Sequence, residues 1–120
     1  MYLLRKTKVL VVIVSILLLT ARAKAATLIL IENKNCQWCI AWEKQVGNIY
    51  SKTETGKLAP LRRININEAW PKELMFIKKA VYTPTFILLD KKKEIGRIFG
   101  FTSDYQFWGQ LEKLISQISD

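Results

Sequence analysis

The sequence contains no histidine. That absence removes the Ser-His-Asp triad, the Cys-His pair, imidazole-ligated zinc and any step that needs an imidazole acid or base. Cysteine is nearly as scarce. Cys36 and Cys39 are the only two, so the chain allows one internal disulfide at most, and two thiolates cannot complete a four-ligand zinc site. Acidic residues are also few, ten against 19 Lys and Arg. Chemistry in this chain therefore rests on sulfur or on carboxylates. What is present is ordinary globular material: of 120 residues, 50% are apolar and 24% charged, with no internal repeat and no low-complexity tract. That composition fits one small domain and argues against a disordered tail or a fibrous repeat.

The basic excess is unevenly spread. Arg5, Lys6 and Lys8 precede the apolar run Val9 to Leu19, and the small residues of Thr20-Ala21-Arg22-Ala23-Lys24-Ala25-Ala26 follow. A basic start, a short apolar centre and alternating small residues are the pattern of a secretory signal. The run is shorter than the ~20 residues needed to cross a bilayer as a helix, and Arg22 and Lys24 close it off. Residues 1–25 are therefore expected to be a signal peptide cut after Ala25, and residues 26–120 the mature domain. The cut removes five of the 19 basic residues and no acid, leaving about +4. No interleaving of basic and aromatic residues suggests nucleic acid. Lys91-Lys92-Lys93 reads as a solvated turn.

Leu28-Ile29-Leu30-Ile31 is a continuous apolar run with β-branched members and reads as a strand buried on both faces. From Cys36 the period changes. Cys39, Trp42, Val46 and Ile49 recur at helical spacing, which predicts an amphipathic helix from near Asn35, its cap, to about Ser51. Thr53 to Gly56 reads as its exit loop. A second strand is expected over Leu61–Ile66, and Trp70, Leu74, Ile77 and Val81 predict a second helix with Pro71 near its first turn. Thr85–Leu89 and Glu94–Phe99, the latter weakened by Gly96, are expected to form a hairpin around Asp90–Lys93. Ser103-Asp104-Tyr105-Gln106 has capping-box spacing and opens a closing helix. The order β-α-β-α-β-β-α calls for a central mixed four-stranded sheet flanked by helices, an α/β fold.

Cys36-Gln37-Trp38-Cys39 lies where the first strand hands over to the first helix. A thiol at a helix N-terminus meets unpaired backbone N–H groups and the positive end of the macrodipole, which favour its thiolate. Cys36 is expected to be that thiol. Cys39, one turn further in, falls on the apolar face. The pair then acts as attacker and resolver, ending as a Cys36–Cys39 disulfide. Three other readings stand beside this one. The pair can be half of a zinc site shared between two chains, a structural clip, or two core cysteines. A clip across two residues adds little stability, because chain-entropy stabilisation grows with loop length. On the same helix Trp38 reads as an exposed contact residue and Trp42 as core.

These features together resemble the thioredoxin superfamily across residues 26–120: a strand, CxxC at a helix start, Tyr82-Thr83-Pro84-Thr85 leading into a strand, and Gly100-Phe101 before a last helix. The resemblance implies a thioredoxin-like fold in which Pro84 is the cis proline facing the cysteine pair. It also implies that Thr83 offers its backbone to an extended substrate segment. Asn35-Cys36-Gln37-Trp38-Cys39 with Trp42, Ala59-Pro60-Leu61-Arg62-Arg63, Gly96-Arg97 and Phe107-Trp108-Gly109 extend the resemblance to small exported thioredoxin-like proteins of the sulfur-oxidation (Sox) system, the SoxS type. That type implies a periplasmic thiol–disulfide reductase that keeps a sulfur-carrying partner's cysteine active. Two departures stand out from cytosolic thioredoxin. Gln37-Trp38 replaces Gly-Pro, and Leu30 occupies the place of the buried acid, with Glu32 reading as a solvated strand end.

The expected function is thus disulfide reduction with Cys36 and Cys39 as the catalytic, redox-active pair and Trp38, Thr83 and Pro84 at the substrate groove. No metal and no organic cofactor is expected. The partners are a disulfide-bearing protein and, in an oxidising compartment, a membrane-embedded thiol donor, with the chain itself a monomer. An oxidant or isomerase of the same fold and a non-catalytic binding module are the alternatives.

Overall fold

The computed structural model describes residues 26–118, and the expected signal peptide lies outside them. Strand β1 (Thr27–Glu32) is central. It pairs in parallel with β2 (Leu61–Asn65) and antiparallel with β3 (Thr85–Asp90), which pairs antiparallel with β4 (Lys93–Phe99), so the sheet order is β2-β1-β3-β4. Between β1 and β2 lie α1 (Gln37–Trp42), a π-helical stretch (Glu43–Gly47), α2 (Asn48–Tyr50) and α3 (Glu54–Leu58), the first three forming one unbroken helical run. Helix α4 (Asp104–Ile115) closes the chain.

The apolar run of β1 splits by the alternation of a strand. Leu28 and Leu30 bury on one face with Phe86 of β3 and with Trp42, Val46, Tyr50, Phe107 and Leu111, the contributions of the helical run and α4. Ile29 and Ile31 bury on the other with Ile64, Leu74, Ala80, Ile87 and Leu89. This is the mixed sheet with covered faces that the element order called for. In β4, Gly96 is a packing position: a Cβ there would come 2.4 Å from Leu114 of α4, so glycine lets that helix sit on the sheet.

The second helix predicted over residues 70–81 does not form. The segment holds only a 3₁₀ turn, Lys72–Leu74, and its bonds are of the i+3 kind, Leu74 N–H to Pro71, Met75 N–H to Lys72 and Ile77 N–H to Leu74. Two local causes are visible. Pro71 is extended, with ψ 137°, and the Trp70 indole N–H donates to the Leu74 carbonyl at 2.9 Å. Burial of Leu74, Ala80 and partly of Trp70 and Ile77 is achieved by turns, while Val81 is left exposed. Arg97 of β4 fastens the segment to the sheet by donating to the Lys78 carbonyl. The predicted exit loop is also helical: Thr53 caps α3 by accepting from the Gly56 N–H at 2.9 Å. At the hairpin the loop is Lys91-Lys92, both with positive φ (50° and 60°), a conformation that matches the strand twist. Ser103 caps α4, accepting from Gln106 N–H at 3.2 Å.

Register fixes which loops share an end of the sheet. Ile31 pairs with Thr85, Thr85 with Phe99, and Glu32 with Asn65. The segments after β1, after β2, before β3 and after β4 therefore all leave the same pole, where the cysteines stand.

Candidate active site

Cys36 is itself the helix N-cap, with extended backbone (φ −88°, ψ 107°), and Gln37 is the first residue of α1. Its carbonyl accepts the first helical bond from Ile40 N–H at 3.1 Å, and its Sγ accepts the Cys39 N–H at 3.1 Å. Asn35, expected to cap the helix, does not. Its N–H instead donates to the Asn33 side chain in the preceding turn. The sulfur has taken the capping position, so a backbone donor already points at the atom that would carry charge once reduced.

Cys36 and Cys39 are joined in a disulfide with a Cα–Cα distance of 5.2 Å. Their surroundings differ. Cys36 is partly exposed, whereas Cys39 is 6% exposed beneath it. Trp38 between them is 52% exposed, and Trp42, one turn on from Cys39, is fully buried. The Thr83–Pro84 bond is cis, and the Pro84 carbonyl accepts the Gly100 N–H at 2.8 Å, which ties this loop to the end of β4. Among the described residues the Thr83 N–H and C=O have no backbone partner. Tyr82 is 68% exposed, and Val81 beside it is exposed too, so two apolar side chains of this loop join Trp38 at the cysteine pole.

Sequence reading missed a charged cleft beside the buried cysteine. It has a volume of about 470 Å³ and is lined by Cys39 and Ile40, by Glu32, Asn33 and Lys34, by Glu43, and by Arg63, Asn65 and Glu68. Glu32 is not the solvated strand end expected. Both its oxygens accept from Arg63 Nη1 at 3.1 Å, and Glu43 Oε2 accepts from Nη2 of the same guanidinium at 2.6 Å. Partial burial alone would lower the pKa of Arg63, but the hydrogen bonds and charges of Glu43 and Glu32 outweigh it and hold the group above its ordinary value. Arg63 also lies over the Trp42 ring, 5.8 Å from its centroid. The one signal in the sequence was the Cys39–Glu43 spacing of four, which puts two side chains on one helix face. The partnership with Arg63 needs the β1–β2 pairing and has no local signature.

The arrangement places a partly open sulfur at a helix start, a shielded sulfur under it, and free backbone and apolar side chains alongside. Such a pair can attack a disulfide and resolve the adduct, which is thiol–disulfide oxidoreductase chemistry.

No family model matches this chain, and no curated protein does. Among solved structures, the periplasmic thioredoxin SoxS from Paracoccus pantotrophus, in its reduced form, aligns with TM-score 0.71 and 30% identity, over 77% of this chain and 97% of that one. A malarial protein aligns with TM-score 0.57 and 21% identity, over 75% of this chain and 97% of its own, a likeness of fold alone. The first of these relations, joined to the cysteine pair at the helix start, makes this chain a SoxS-like member of the thioredoxin superfamily.

Proposed function

We propose that the protein is an exported, periplasmic reductase of disulfides in a partner protein. Residues 1–25 act as its cleaved signal peptide and residues 26–120 as the mature domain. Cys36 attacks, Cys39 resolves, and Trp38, Thr83 and Pro84 seat an extended partner segment. Thr83's unpaired backbone suits strand addition. The observation that carries the reading is the asymmetry of the disulfide, one sulfur partly open at the helix cap and the other buried. The likeness to a periplasmic thioredoxin of the SoxS type supports the compartment. The partner we propose is a sulfur-carrying protein whose cysteine must be kept reduced, as the resemblance to the SoxS type implies.

Turnover as a reductase in an oxidising compartment requires a supply of electrons, for which a membrane-embedded thiol carrier is the fitting class of donor. The direction is tested by equilibrating the pair with a thiol buffer of known potential. A value near about −270 mV supports the reductase, whereas one near about −120 mV makes the protein an oxidant and overturns the proposal.

A further inference from the structure

We propose that Glu43 takes the proton of Cys39 when Cys39 attacks the mixed disulfide, and returns it when the disulfide is reduced again. This rests on the dithiol cycle proposed above. Cys39 is buried and must lose a proton to become a nucleophile, yet the chain has no histidine to accept one. The cleft that Cys39 lines offers carboxylates instead.

Glu43 is singled out among them by position. It follows Cys39 by four residues, its N–H bonds to the Cys39 carbonyl, and both side chains line the same cleft. Three features hold it there. The helical run switches to π-type bonding at Glu43, a local widening often found at functional positions. Arg63 binds Oε2, and among the described residues Oε1 has no protein partner. Gly47 leaves the space: a Cβ there would lie 2.5 Å from Oε2 and 2.7 Å from the Trp42 ring. The other charged groups facing the cleft are Glu32 and Lys34 at the end of β1, Arg63 on β2 and Glu68 beyond it. Glu32 has both its oxygens on Nη1 of the same guanidinium, leaving Nη2 to Glu43.

The step balances as follows. Cys39 Sγ bonds to Cys36 Sγ, the bond from Cys36 to the partner's sulfur breaks, and that sulfur leaves with the electron pair. Cys39 is oxidised and the partner sulfur reduced. The proton from Cys39 passes to the Glu43 carboxylate and on to solvent through the cleft, while the departing thiolate is protonated from solvent. A carboxylate is a weaker base than a thiolate, so the expected gain, about tenfold, lies below the roughly hundredfold lower end of general acid–base catalysis.

The test uses the reduced protein and an aromatic disulfide, 5,5′-dithiobis(2-nitrobenzoate). It releases one coloured thiolate when Cys36 attacks and a second when Cys39 resolves. For Glu43→Gln the first phase is expected to stay within twofold, and the second to slow about tenfold near neutral pH. The difference is expected to narrow as the pH rises and the thiol comes to ionise unaided. Glu32→Gln is expected to change the second phase less than twofold. A second phase that is unaltered in Glu43→Gln, slowed equally at every pH, or slowed as much by Glu32→Gln would overturn the assignment. Wild-type protein that releases only the first thiolate contradicts the dithiol cycle itself.

Discussion

Cys36→Ser is expected to lower disulfide reduction by more than about a thousandfold, because a serine hydroxyl at neutral pH has no fraction comparable to a thiolate. The fold should survive, since Cys36 is partly exposed and serine is itself a favoured helix cap. Cys39→Ser is expected to fail differently. The first attack proceeds, nothing resolves it, and the partner stays attached through Cys36, visible as a mixed disulfide on a non-reducing gel. Those adducts would also identify the substrate. If both variants retain full biological activity, the groove works as a binding module and the catalytic account is wrong.

The second large effect concerns the support beneath the site. Trp42 is fully buried, with ring centroids 5.2 Å from Phe86, 5.7 Å from Phe107 and 6.4 Å from Tyr50. It joins the helix that carries the cysteines to β3 and α4. Trp42→Ala is expected to cost about 3–5 kcal/mol, a large share of the about 5–15 kcal/mol typical of a whole domain. Urea unfolding measures this as a lower midpoint. A loss under about 1 kcal/mol would show that this cluster is not the core's keystone. Tyr50, its neighbour, donates its hydroxyl to the Ala59 carbonyl at 2.6 Å, and burial pushes its phenol far above the ordinary value, so it stays a neutral donor across the working range.

Why some of this was legible in the sequence and some not follows from the range of the interactions involved. β1 could be read because a short, continuous apolar run with β-branched members has few other uses, and the helix of Cys36 because Cys39, Trp42 and Val46 repeat at its period. The segment 70–81 misled because Trp70, Leu74 and Ile77 bury at helical spacing without a helix. Periodicity reports which residues face the core and not how the backbone delivers them, and here an indole holds the carbonyl a helix would have used. The cap shifted from Asn35 to Cys36, whose sulfur accepts the Cys39 N–H three residues on, the bond an N-cap side chain makes.

The cysteine pair and Pro84 were legible as motifs, and the structure sets both at one pole of the sheet through the β1–β3 register. The Glu32–Arg63–Glu43 cluster was not, because its members are brought together by the β1–β2 register over thirty residues of chain. Leu30, where cytosolic thioredoxin has its buried acid, is instead part of the hydrophobic face with Trp42. The carboxylates that share a cleft with Cys39 come from the strand end, the helical run and the segment after β2. That relocation also explains why reading the strand alone left Glu32 looking idle.

The most direct measurement is the pH dependence of alkylation of the reduced protein by iodoacetamide, with each modified cysteine identified by mass. Cys36 is expected to react first, with a midpoint clearly below the about 8.5 of a free thiol, while Cys39 remains protected. Equal labelling of the two sulfurs with a midpoint near about 8.5, or faster labelling of Cys39, would contradict it.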